Sequence, residues 1–574
     1  MSRDYMPQPR TRKMTIIAQD PSVMVNDGRT SRILTAQVDV PAENLAPGPS
    51  GHRVQLIDFD SSTGTLYKPA KIADVDPYIN AKDSKLLSDP NFHAQNVYAI
   101  VMRTLARFEF ALGRRISWGF YGHQIKVAPH AFADANAFYS ENDQALMFGY
   151  FQGKKNMVFS CLSHDVIAHE TTHALVDGLR ERYTDPSSPE QAAFHEGFSD
   201  VVALLSIFSV PDVVETVIDK RMEARKTKDS RLIKPSSLTA KELRKSALFG
   251  LAAEMGQELS GIRGNPLRRS AELTPSKTYI NLPEYLEPHK RGEILVAAMM
   301  NAFIEVWVNR LKGLGKVSPE GLDRRRVVEE GSGIADYLLT MVIRALDYSP
   351  PVDLQFCDFL SALLTADRAI RPDDSKYNFR KILLKSFESY GLPPTSTGDG
   401  SEQGVWEPPK FEPVYDRTHF ESMQRDPDEV FRFIWENRKS LGLYEDAYSR
   451  VLSVRPCLRI GPDGFALRET VAEYIQMIKL APSELKSLGV KAPVGMPPET
   501  EVTLYGGGAL IFDEYGRLRF HIYNRILNAE RQTKRLEFLW KFGYFSPGRS
   551  QLSRFSSLHR RRAMNIPTAI EEEE

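Results

Sequence analysis

The chain has 574 residues, 42% of them hydrophobic, with 74 basic and 74 acidic side chains and a formal charge of zero. That length suffices for about two to four domains and a large buried core, and the charge balance exerts no overall pull toward nucleic acid or an anionic membrane surface. The three cysteines, Cys161, Cys357 and Cys457, are too few and too scattered for a disulfide scaffold and fit a reducing compartment.

Residues 1–13 are polar and charged and show no secretory leader pattern, and no apolar run reaches the length of a membrane span. A soluble, cytoplasmic protein with no nucleic-acid or membrane partner is therefore expected. Residues 1–90 read as a strand-rich segment, with short β-like runs at 32–38 and 53–59 joined by turns such as Ala46-Pro47-Gly48-Pro49. An amphipathic helix over 94–112 stops at Gly113 and leads into strands around Ile125 and Phe138. Two buried helices follow, at 166–176 and from 192 through 205, and helical periodicity returns at 294–307, 334–346, 354–370 and 377–390.

Proline and glycine then crowd residues 392–412, the composition of a linker. Residues 413–574 read as a separate α+β domain. It opens with a helix over 428–439 and continues with a hairpin across Gly461-Pro462-Asp463-Gly464. Further antiparallel strands are expected at 503–512 and 518–523. Gly506-Gly507-Gly508 has no Lys-Ser/Thr after it, so it reads as a close backbone approach or bulge and not as a phosphate loop. The end, with Arg560-Arg561-Arg562 and the terminal glutamates, reads as a disordered, solvated tail.

The chemistry concentrates in His169-Glu170-Thr171-Thr172-His173. On a helix the two histidines point the same way and can grip one metal, with Glu170 beside it as a base. A bare match to this pattern is weak, so further ligands decide the matter. The second buried helix carries Glu196 and, one turn later, Asp200 in an otherwise apolar stretch. Carboxylates are rarely buried unless paired or metal-bound. Glu196 as third ligand, and Asp200 as acceptor of a ligand histidine's other N–H, account for both.

At this point the chain resembles the thermolysin-like zinc peptidases, in which a His-Glu-x-x-His helix is followed by a helix carrying Asn-Glu-x-x-Ser-Asp. Here the second element is His195-Glu196-Gly197-Phe198-Ser199-Asp200, with His195 in place of the usual Asn. The resemblance spans residues 91–391. It implies an α+β, two-lobed metallopeptidase domain with a mixed β/α N-terminal lobe and a helical C-terminal lobe, ahead of the C-terminal α+β domain with its antiparallel sheet.

The resemblance also implies roles for further residues. Asp177 belongs to the metal helix's pattern, and Asn136-Ala137-Phe138-Tyr139 resembles the edge strand that holds an extended substrate, with Tyr139 standing for the family's Trp. His289 resembles the histidine that contacts the tetrahedral intermediate, oriented by Glu284 with Glu287 as competitor, and Tyr183 resembles a second oxyanion donor. Arg268 or Arg269 looks like the substrate-carbonyl arginine. Val166 and Leu267 fall where the family lines an apolar pocket for the residue after the cut bond. Asp165 matches a calcium ligand of secreted members, but Ile207 stands where its partner glutamate belongs, so calcium is not implied.

The expected function is a zinc-dependent endopeptidase, with one Zn2+ per chain held by His169, His173 and Glu196, and Glu170 as general base on a peptide or protein substrate. The alternative is a catalytically silent, zinc-stabilised binding or scaffold protein. In either case the C-terminal domain is a candidate to bind a protein partner.

Overall fold

The computed structural model describes residues 10–545 except 23, 27–30, 154–155, 186, 223–230, 245–269, 271–272, 315–320, 398–402 and 462. The expected C-terminal tail, Leu267, Arg268 and Arg269 lie outside the described residues. The architecture is α+β. Strands β1 (Thr11–Ile17) and β2 (Thr35–Pro41) pair antiparallel. The apolar residues of β2 alternate inward, β1 is buried throughout its second half, and Asn96 accepts the Ile17 N–H at 2.8 Å, fastening the pair to the long helix behind.

That helix, α1 (Pro90–Leu112), starts earlier than its apolar periodicity suggests. Asp89 caps it by accepting from Asn91 N, Pro90 pre-sets the first turn, and Gly113 ends it in the left-handed conformation at φ 68°. A five-stranded mixed sheet follows, built from β3 (Val54–Leu56), β4 (Ile125–Phe132), β5 (Ala137–Ser140), β6 (Ala145–Gln152) and β7 (Met157–Phe159). β3 and β6 run parallel to β4, while β5 and β7 pair antiparallel with β6.

The next two helices, α2 (His164–Leu179) and α3 (Pro189–Phe208), are buried almost throughout. Around them stand α4 (Pro288–Gly313), α5 (Arg324–Ala345), α6 (Phe356–Ile370) and α7 (Phe379–Ser389). α4 corrects one expectation, because by length and composition it could cross a membrane. In this fold 83% of its apolar window is buried inside the protein, so its apolar character is that of a core helix.

The C-terminal part contains α8 (Pro427–Glu436), β8 (Tyr448–Ile460), β9 (Ala466–Leu480), β10 (Val502–Asp513), β11 (Leu518–Asn524) and α9 (Ala529–Lys541). The strands form one antiparallel sheet in sequence order, and β8 and β9 are the expected hairpin. The two faces of the sheet separate by alternation. Val471, Ala509, Ile511, Phe520 and Ile522 join the main core, whereas Ala472, Leu510 and Phe512 pack with α8. Gly506 allows close backbone approach, since a Cβ there would sit 2.5 Å from the Ile526 nitrogen.

Buried ion pairs complete the junction between this sheet and the rest of the chain. Arg459 bridges Asp347 and Glu469, Arg114 holds Asp347 at 2.6 Å, and Arg180 pairs with Glu473. Residues 392–412, expected as a linker, are likewise packed where described. Val405 is buried, Trp406 Nε1 donates to Tyr348 O at 2.9 Å, and Ser396 N donates to Ser361 Oγ at 3.1 Å. Proline and glycine there signal a turning path, and the hydrogen bonds decide that it is anchored. All three cysteines are free.

Candidate metal centre

His169 and His173 lie one turn apart on α2, with their Nε2 atoms facing each other at 2.7 Å. From α3, Glu196 brings its carboxylate oxygens to 3.6 Å from His169 Nε2 and 3.8 Å from His173 Nε2. One ligand atom from each of the three residues lies within 4.8 Å of the others, and all three residues are buried. The intervening threonines do not compete for this space, because Thr171 and Thr172 donate back to the helix carbonyls of Ile167 and Ala168 at 2.6 and 2.7 Å.

Ring tautomers make this a donor set for a cation. His169 Nδ1 is 2.6 Å from Asp200 Oδ1, an acceptor that draws the ring proton to Nδ1 and leaves a lone pair on Nε2. His173 Nδ1 is 2.7 Å from His195 Nδ1, and with the proton on the His173 side of that contact its Nε2 is likewise a lone pair. Two imidazole lone pairs and a carboxylate then converge, which suits a metal ion. The chain's departure from Asn at position 195 thus supplies a side-chain partner for His173. Ser199 Oγ stands 3.3 Å from the same His173 nitrogen. Sequence spacing identified His195 as a departure but not as a contact of His173, since that pairing depends on how α2 and α3 cross.

Glu170 is fully buried, and its Oε2 accepts the backbone N–H of Tyr139 at 3.1 Å. Among the described residues β5 pairs with β6 alone, and its other edge faces Glu170. The Tyr139 hydroxyl donates to Asp177 Oδ2 at 2.9 Å, binding the strand to the metal helix at a second point. Gly119 allows this contact, since a Cβ there would lie 2.1 Å from Asp177 Oδ2. The Asn136 carboxamide oxygen accepts the Ala137 N–H at 2.8 Å, a local cap on the strand's first residue.

His289 occupies the first turn of α4, and its Nε2 is 3.3 Å from Glu196 Oε2. Its orienting carboxylate is Glu287, with Oε1 at 2.9 Å from Nδ1. Glu287 also caps α4 by accepting from Lys290 N at 2.8 Å. The expectation of Glu284 is corrected accordingly, because Glu284 is exposed in the turn before the cap.

Tyr183 is a second correction. It is fully buried, its hydroxyl donates to Pro350 O at 2.7 Å, and burial pushes its phenol well above the usual range. A committed hydroxyl in the core is not placed to meet an oxyanion. Val166 is 1% exposed and belongs to the hydrophobic core. Asp165 accepts from Ser163 Oγ at 2.5 Å, and Ile207 lies in the core.

Comparison of the sequence with known protein families and with curated proteins gives no match.

Proposed function

We propose that this chain is a zinc-dependent endopeptidase of thermolysin-like type, with His169, His173 and Glu196 as the ligands of one zinc at this centre and Glu170 as general base. The observation that carries the reading is the convergence of those three ligand atoms, with Asp200 on His169 and Glu170 bonded to the Tyr139 N–H of β5. The mixed sheet before α2 and the helices after it support a two-lobed domain, to which β3 adds a strand from before residue 91.

Zinc bound here supplies Lewis acidity that polarises a scissile carbonyl and acidifies water. Glu170 accepts the proton of the attacking water and returns it to the leaving amine, and the Tyr139 amide orients its carboxylate. The β5 edge that faces Glu170 supports an extended peptide backbone as substrate. His289, oriented by Glu287, donates toward the carbonyl oxygen as charge develops on it. A preference for an apolar residue after the cut bond rests on the resemblance alone.

Near-complete burial of Glu170 and the ligands favours the other reading, a catalytically silent zinc-stabilised scaffold. One experiment separates the two. Full-length protein loaded with zinc is incubated with a broad peptide library beside its Glu170→Gln variant. The endopeptidase reading expects cleavage by the first and none by the second at equal zinc content. Equal inactivity of both overturns it in favour of the scaffold.

A further inference from the structure

A second group of metal-ligand side chains lies outside this centre. His93 on α1, His130 on β4 and Cys161 in the turn between β7 and α2 are all buried, with one ligand atom from each within 4.8 Å of the others. The hydrogen bonds around the two rings determine where their protons are. His93 Nε2 is 3.1 Å from Leu87 O, and a carbonyl only accepts, so the His93 proton is on Nε2. His130 Nδ1 is 2.8 Å from Asp58 Oδ2, and the same carboxylate accepts the His130 backbone N–H at 3.0 Å, so the His130 proton is on Nδ1.

The remaining two nitrogens, His93 Nδ1 and His130 Nε2, then face each other at 2.8 Å, each with a lone pair when the rings are neutral. Lone pairs at that distance repel unless something positive lies between them. A metal cation satisfies both nitrogens. The facing pair also reproduces the 2.7 Å spacing of His169 and His173.

We infer that His93, His130 and Cys161 form a second metal site, taking a zinc-class ion through two imidazole nitrogens and one thiolate. The donor set is of the mixed nitrogen and sulfur kind that zinc favours. Each histidine already gives its other N–H to a carbonyl or carboxylate, the outer contact that orients a metal-bound imidazole. The Phe159 ring lies 4.7 Å from the His93 ring and 5.2 Å from the His130 ring, covering the cluster with apolar surface. On binding, the Cys161 thiol gives its proton to solvent and both imidazoles bind neutral, with no redox step. The ion joins α1, β4 and the turn that leads into α2, which is a structural role.

Cobalt(II) substitution tests this, because the centre at His169 contains no sulfur. Full-length protein is stripped of metal and loaded with Co2+ alone. The inference expects a sulfur-to-cobalt charge-transfer band in the near ultraviolet that is lost in Cys161→Ser and retained in a His169→Ala/His173→Ala variant. Absence of the band in cobalt-loaded wild type, or its persistence in Cys161→Ser, overturns the inference. Should Cys161→Ser fail to fold, X-ray absorption of zinc-loaded His169→Ala/His173→Ala decides. One sulfur per zinc at about 2.3 Å supports the site, and a nitrogen and oxygen shell alone overturns it.

Discussion

Gly197 of α3 and Gly292 of α4 meet backbone to backbone: a Cβ on Gly197 would lie 2.9 Å from the Gly292 carbonyl oxygen, and one on Gly292 would lie 3.0 Å from the Gly197 nitrogen. Glu196 directly precedes the first of these glycines and His289 is one turn before the second. The close crossing is what brings His289 Nε2 to 3.3 Å from Glu196. Gly292→Ala is expected to push the helices apart, cost about 1–3 kcal/mol by overpacking, and lower peptidase activity more than zinc content. Denaturant titration together with metal analysis and a peptide assay checks this; unchanged stability would show that the helices yield easily.

In the proposed zinc centre, Asp200 would act only through the His169 ring. Asp200→Asn keeps the size of the side chain but removes the charge opposite His169 Nδ1, and a loss of roughly 10–100-fold in zinc affinity is expected. Competition against a chelator of known affinity measures it. An affinity equal to wild type would mean that the 2.6 Å contact does not orient the ligand.

Glu287, and not Glu284, is expected to matter for turnover. His289→Ala is predicted to lower kcat about 10²–10³-fold, as loss of one oxyanion donor does, and Glu287→Gln to lower it less. Glu284→Gln and Tyr183→Phe are predicted to leave kcat within about twofold of wild type, since one side chain is exposed and the other already bonds Pro350. Tyr183→Phe loses about 1 kcal/mol of stability instead. A kcat fall for Tyr183→Phe comparable to that for His289→Ala would restore Tyr183 to the oxyanion site.

His164 begins α2 fully buried, with its ring nitrogens 3.0 Å from Ala18 O and 3.1 Å from Ser206 Oγ. Burial first, and then Arg103, hold its pKa down at about 3, against 6.5 for an unperturbed histidine. Between those values the unfolded chain binds a proton that the folded chain refuses. The stabilisation is complete above pH 6.5 and falls as the solution is acidified, by about 1.4 kcal/mol per pH unit. Urea titrations of wild type and His164→Gln from pH 7 to 4.5 are expected to diverge in slope, the variant losing less stability on acidification; parallel curves would remove His164 from the acid limb.

Arg459 lies fully buried between Asp347 and Glu469. Burial pushes the Asp347 carboxyl up, yet the Arg114 and Arg459 guanidiniums outweigh it and hold the group well below the usual carboxylate range. Arg459→Ala leaves two buried carboxylates short of a cation and is expected to cost about 3–5 kcal/mol. A loss below about 1 kcal/mol in chemical denaturation would show that the Arg459 pairs add little to holding the C-terminal sheet on the body.

Features within a single helix were legible in the residues, because 3.6 residues per turn place positions four apart on one face whatever surrounds them. His169 with His173, and Glu196 with Asp200, follow from that spacing, as the strand alternation of β9 and β10 follows from a period of two. Contacts between elements were decided by tertiary structure. Whether Glu284 or Glu287 meets His289 turns on which of two nearby carboxylates the start of α4 directs inward, and local propensity does not distinguish them. His195 reaches His173 only because α2 and α3 cross as they do, and Tyr183 loses its hydroxyl to a carbonyl 167 positions away. The cluster of His93, His130 and Cys161 is drawn from three elements far apart in sequence, so no spacing rule could have announced it. Spacing along the chain sets direction within an element, and only the packing of elements sets which directions meet.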